Sequence, residues 1–88
     1  MTEAQTGVAS LAELVRASRL PVPAERRRIR EAAGVSLRRM GDALGVTAPT
    51  VHNWENDHEG PSMENAAKYR ALLDELAAAV GTEIAEAR

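Results

Sequence analysis

From Leu11 to Val80 apolar residues recur at intervals of three and four, and nowhere do apolar and polar positions alternate long enough to suggest a strand. The rhythm predicts helices, and the residues between apolar runs say where each begins. Leu11, Leu14 and Val15 make one apolar face of a helix over 10–19, with Ser10 and Glu13 spaced as a capping box at its start. Leu20-Pro21-Val22-Pro23 ends it, since each proline lacks an N–H and restricts the residue before it. Residues 24–34 read as a second helix. Pro23 suits its first turn, Glu25 the positive end of its dipole and Gly34 its stop. Ser36 is expected to cap a third helix over 37–44, Thr47 a fourth running to about Asn56, and Ser62 a fifth over 63–79. Residues 1–9 read as a flexible N-terminus, and 81–88 as a C-terminal tail, where VGTEIAEAR adds a frayed sixth turn of helix. The sum is a single all-α domain over 10–80.

The stretch MGDALGVTAPTVHNW, Met40 to Trp54, interrupts the rhythm at Gly45, restarts it after Thr47, and sets Pro49 inside the new run. Two short helices that cross steeply need a tight turn and a close contact. Gly45 can take the left-handed conformation of such a turn at no Cβ cost. Gly41, one turn earlier, is small enough to let the next helix approach. Met40, Leu44, Val46, Val51 and Trp54 have the spacing of inward-facing residues. Pro49 falls in the first turn of the new helix, where a missing N–H has no intrahelical partner to lose.

Composition narrows the class. Eighty-eight residues allow one small domain with a modest core. The absence of cysteine excludes disulfides and thiolate metal sites and fits a reducing cytosol. No apolar run approaches the ~20 residues that span a bilayer, so no membrane partner is expected. The polar, acidic MTEAQTGVAS does not read as a signal peptide. A net charge of −2 hides a separation: Arg16 to Arg39 holds eight arginines against Glu25 and Glu31, and the rest of the chain holds three basic against eleven acidic residues.

The segment IREAAGVSLRRMGDALGVTAPTVHNWEN, followed by GPSMENAAKYRALLDEL, resembles the Cro/phage-repressor (XRE-type) helix-turn-helix DNA-binding family from Ile29 to about Leu76. The resemblance implies a compact five-helix repressor-like helix-turn-helix domain, to which 10–19 adds an extra N-terminal helix. It implies that 47–56 is a recognition helix lying in the major groove of double-stranded DNA, with a homodimer reading two half-sites about one turn apart. The implied base-reading positions are Ala48, Pro49, Thr50, His52 and Asn53. Asn53 can pair bidentately with adenine, Thr50 can donate, accept or touch a thymine methyl, and Ala48 and Pro49 offer apolar contact to thymine methyls. Phosphate contact is expected from Arg26, Arg27, Arg28, Arg30, Arg38, Arg39, Thr47 and Asn56, helped by the helix N-termini at Leu37 and Thr47. The chain departs from the family in having Leu37 where Gln is common, apolar Ala48 and Pro49 where base readers are polar, and no Lys or Arg on the recognition helix. Asp57 and Glu59 follow that helix and repel phosphate. Direct readout should therefore be thin, with affinity drawn from the arginines of 16–30.

Each sharp reading has a plainer one beside it. Trp54 belongs to the core by the family pattern, since stacking on a base needs it exposed. The ERRRIR cluster can be a solvated helix face rather than a phosphate contact. His52 and His58 lie six apart with no i, i+4 pair and no cysteine, so no metal site is expected. The apolar face of 10–19 packs on its own domain or meets a second subunit, and Leu72, Leu73, Leu76 and Val80 can serve core and dimer contact together. No nucleophile is paired with a base and no Gly-rich phosphate loop occurs, so neither an enzyme, a cofactor nor a small-molecule ligand is expected. The expected function is a sequence-specific DNA-binding transcriptional regulator, Cro/repressor-like, of a phage or mobile element, acting in the cytoplasm at the nucleoid. One alternative is a protein-interaction module on the same fold that binds a host or phage protein. Another is an excisionase-like architectural DNA-binding factor.

Overall fold

Of the four side-chain caps expected, all but one are present in the structure, a computed structural model that describes residues 8–81. The elements are α1 (Val8–Ala17), α2 (Pro23–Ala32), α3 (Leu37–Leu44), α4 (Ala48–Glu55) and α5 (Met63–Val80). Ser36, Thr47 and Ser62 sit in extended backbone, and their hydroxyls accept from the N–H groups of Arg39, Thr50 and Asn65. α2 opens on Pro23 without a side-chain cap, as the fixed φ of proline allows. The exception is α1. It already includes Val8 and Ala9, so Ser10 lies inside the helix and does not cap it. Val8 and Ala9 extend the helix past a residue whose chemistry alone marks a start. Of the sixth turn expected over 80–88, Val80 instead ends α5 and Gly81 caps it at φ 69°, while residues 82–88 lie outside the described residues.

The core is drawn from four helices. Ile29 of α2, Met40 and Leu44 of α3, Val51 and Trp54 of α4, and Tyr69, Leu73 and Ala77 of α5 are buried together. Full burial of such side chains is worth about 1.5–3 kcal/mol each before conformational entropy is set against it. Trp54 and Tyr69 stack at 5.4 Å between ring centroids, tilted by 36°. Leu72 and Leu76 pack half-buried against this cluster, while Val80 is exposed. α1 packs along α5 but contributes no side chain to the cluster, and Leu11 and Val15 stay 55% and 43% exposed.

The turn between α3 and α4 has the geometry that its two glycines require. Gly45 sits at φ 77°, and both its own N–H and that of Val46 donate to Gly41 O. At Gly41 a Cβ would lie 2.6 Å from Val46 O and 3.1 Å from the Thr47 carbonyl carbon. That close approach seats the start of α4 directly against α3.

Candidate nucleic-acid interface

α4 is eight residues long and divides into an inward and an outward half. Val51 and Trp54 point into the core and Glu55 is buried beside them. Pro49 and His52 are exposed, and Ala48, Thr50 and Asn53 are half-buried. The five expected base-reading positions thus lie on the side of α4 turned away from the core. The Asn53 side-chain amide has no hydrogen-bond partner among the described residues. Thr50 Oγ1 lies 2.8 Å from Thr47 Oγ1, and one of the two hydroxyls donates to the other. The Asn56 side-chain amide donates to His52 O at 2.8 Å, at the carboxyl end of the helix.

The six arginines expected at phosphates fall into three groups. Arg27 pairs with Glu31 at 3.2 Å and Arg28 donates to Glu25 at 2.7 Å, both on the outer face of α2. Both pairs are one helical turn apart; Arg27 and Glu31 are exposed on both sides, while the Glu25 side chain is largely buried. Arg38 and Arg39, at the start of α3, are exposed and form no ion pair among the described residues. They edge a groove of about 760 Å³ whose floor includes Met40, Leu72 and Leu76.

Arg26 and Arg30, also expected at phosphates, are engaged within the domain. Arg30 donates to Glu55 twice, Nε to Oε2 at 2.6 Å and Nη2 to Oε1 at 3.1 Å, and Nη1 donates to Val35 O at 2.8 Å. The hydrogen bond to Glu55 raises the Arg30 pKa further above its ordinary value. Arg26 donates through Nε to Pro21 O at 2.7 Å and through Nη1 to Trp54 O at 3.0 Å, with its guanidinium 5.9 Å from the Tyr69 ring centroid. Burial lowers the Arg26 pKa, opposed by the charges of Tyr69, Asp57 and Glu55. Two of the eight arginines in the basic segment are therefore part of the scaffold that holds α4.

Residues 27–76, from α2 through most of α5, match the profile of the helix-turn-helix family. The chain belongs to the helix-turn-helix family. It is of the XRE type, a family of DNA-binding regulators, in line with the resemblance carried by Ile29 to Leu76. No curated protein and no solved structure gives a significant match. α1 and the linker to α2 lie outside the matched residues.

Within the helix-turn-helix unit, three features escaped the sequence. Glu55 carried no role in the reading of the sequence, yet it is 6% exposed and holds Arg30. Its partner is 25 positions away, beyond any local spacing rule. Tyr69 is fully buried, and its hydroxyl is the one buried side-chain polar atom without a partner among the described residues. Burial pushes its pKa up to about 12. The pairs Glu25–Arg28 and Arg27–Glu31 did have a signal, since spacings of three and four place them together on one helix face. His52 and His58 meet edge to face at 6.5 Å, but no three His, Cys, Asp or Glu side chains gather as a metal site among the described residues. No helix among them is long and apolar enough to cross a membrane.

Proposed function

We propose that the protein is a sequence-specific transcriptional regulator of the Cro/repressor kind, reading double-stranded DNA with the amino-terminal half of α4 in the major groove. The observation that carries this is the outward presentation of Pro49, Thr50, His52 and Asn53 on a helix whose other face is locked into the core. Thr50 and Asn53 supply the directional contacts, and Ala48 and Pro49 the apolar ones, which fit thymine methyls. To phosphate contact we assign Thr47 at the cap of α4, Arg38 and Arg39 at the amino end of α3, Arg27 and Arg28 on α2, and Asn56 at the far end of α4, all of them exposed. Two copies on paired half-sites would supply the affinity that one short, uncharged reading face lacks. Selection from random duplexes tests this. Enrichment of a motif, with Thr50→Ala/Asn53→Ala binding that motif at least about tenfold more weakly and random duplex about as well as before, is the expected result. Failure to enrich any motif overturns it.

A second reading has its own observation. α4 carries no Lys or Arg, Asp57 and Glu59 follow it, and Arg26 and Arg30 are occupied internally. A protein-binding module on this fold would look the same. The double variant separates the two, because a protein adaptor that does not use α4 keeps its partner when Thr50 and Asn53 become alanine.

A further inference from the structure

α2 grips the carboxyl end of α4, while Pro49 in its first turn is exposed. Arg26 makes this grip reach further than the helix-turn-helix unit itself. Its Nε donates to Pro21 O at 2.7 Å and its Nη1 to Trp54 O at 3.0 Å. Pro21 is a buried residue of the linker between α1 and α2. Trp54 is in the last turn of α4, where helix carbonyls run out of backbone donors and a cation is favourable. A guanidinium is a rigid planar fork, so holding one carbonyl on each side fixes the linker and the helix end relative to each other. The same linker is held from α5 by Arg70, whose Nη1 donates to Arg19 O at 2.8 Å. A continuous line of contacts therefore runs from α5 through Arg19 and Pro21 to Arg26 and the end of α4.

The leverage is simple. α4 is about 12 Å long at 1.5 Å per residue, so a tilt of roughly 10° at its carboxyl end moves Pro49 by about 2 Å. Hydrogen bonds to base edges tolerate far less than that. We propose that Arg26 is a positioning residue for base reading: it couples the α1–α2 linker to the recognition helix, so that the seat of the linker sets the pose of the bases' reader. This rests on the reading of α4 as the DNA-contacting helix. A phosphate contact by Arg26 would act differently, weakening all sequences alike and flattening the salt dependence.

The test uses the full chain with Arg26→Gln and Arg26→Lys. Affinity for the selected duplex and for random duplex is measured at several salt concentrations. Amide hydrogen exchange at Asn56 and His58 is followed without DNA, because their N–H groups close the end of α4 on His52 O and Asn53 O. Arg26→Gln is expected to lower the ratio of selected to random affinity about tenfold, to leave the salt slope unchanged, and to speed exchange at both amides. Arg26→Lys should recover part of the ratio, since an ammonium can donate to these carbonyls without the fixed fork. Equal loss on both duplexes with a flatter slope overturns the proposal in favour of a phosphate contact. An unchanged ratio with faster exchange overturns it in favour of a purely structural clip. Should Arg26→Gln not fold, Arg70→Gln releases the linker from its other side without touching α4. It must then lower the ratio and speed the same two amides, and an unchanged ratio or unchanged exchange counts against the coupling. If the wild-type chain prefers no duplex, it is the proposed function that has failed, and exchange in Arg70→Gln alone decides whether linker and helix are coupled.

Discussion

At Tyr69 and at Arg30 the structure turns single side chains into measurable quantities. Tyr69 is the one tyrosine of the chain, so its ionisation can be followed directly in the ultraviolet. In the folded protein its pKa is pushed up to about 12 from an ordinary value of 10.0, by burial. A pKa raised on folding means that the native state keeps its proton where the unfolded chain has lost it. Its contribution is complete below pH 10 and declines as pH rises toward 12, so stability should fall across that window. Tyr69→Phe removes both the titration and a buried hydroxyl with no partner among the described residues. We expect urea unfolding of this variant at pH 7 to show stability unchanged or raised by up to about 1 kcal/mol, and the alkaline decline to flatten. Arg30 behaves in the opposite way. Arg30→Ala leaves the Glu55 carboxylate buried without its fork, which costs about 3–5 kcal/mol, a large part of what a domain of this size has. Urea unfolding that shifted by less than about 1 kcal/mol would show the pair to be open to solvent.

Among the elements, the turn between α3 and α4 separates two reasons for glycine. At Gly45 an added Cβ meets nothing within 4 Å, and the penalty is the left-handed backbone alone. At Gly41 the backbone is ordinary helix, and the penalty is collision with Val46 O. Gly45→Ala is therefore expected to destabilise by about 1 kcal/mol, and Gly41→Val by about 2–3 kcal/mol because packed backbone must shift. Equal costs in thermal or urea unfolding would contradict this division. The turn was legible in the sequence because glycine and proline constrain the chain within one or two residues. The caps at Ser36, Thr47 and Ser62 were legible for the same reason. The cap of α1 was not, since Ser10 has cap chemistry wherever it sits and here the helix already runs through the two residues before it. The arginines were legible as charge but not as partners. Nothing near Arg26 in sequence points to Trp54 O, 28 positions away.

For the molecule as a whole, the helix-turn-helix core and α1 are unequal in how they are held. The buried cluster spans α2 to α5 and takes nothing from α1, which rests on α5 with two exposed apolar residues. Amide exchange should show α1 opening at a lower free energy than α3 and α4, as a separate unit. Identical protection in α1 and α4 would mean that the two unfold only together. The separation of charge that the sequence displayed is also altered by folding. Arg26 and Arg30 are absorbed and Arg27 and Arg28 are paired, which leaves Arg38 and Arg39 as the exposed cations of α3. On the DNA reading, Arg38→Ala and Arg39→Ala should each flatten the salt slope of binding by about 1.

The contact at Gly41 has a consequence on the timescale of descent. Every amino-acid change reachable from a glycine codon by one base adds a Cβ, so this site has no neighbouring genotype that keeps the helices where they are. A lineage that leaves glycine here must let α4 slide as well, and with it the outward residues Pro49 and Thr50. On the DNA reading, drift at one buried position would then retune sequence preference without any change to Pro49 or Thr50 themselves.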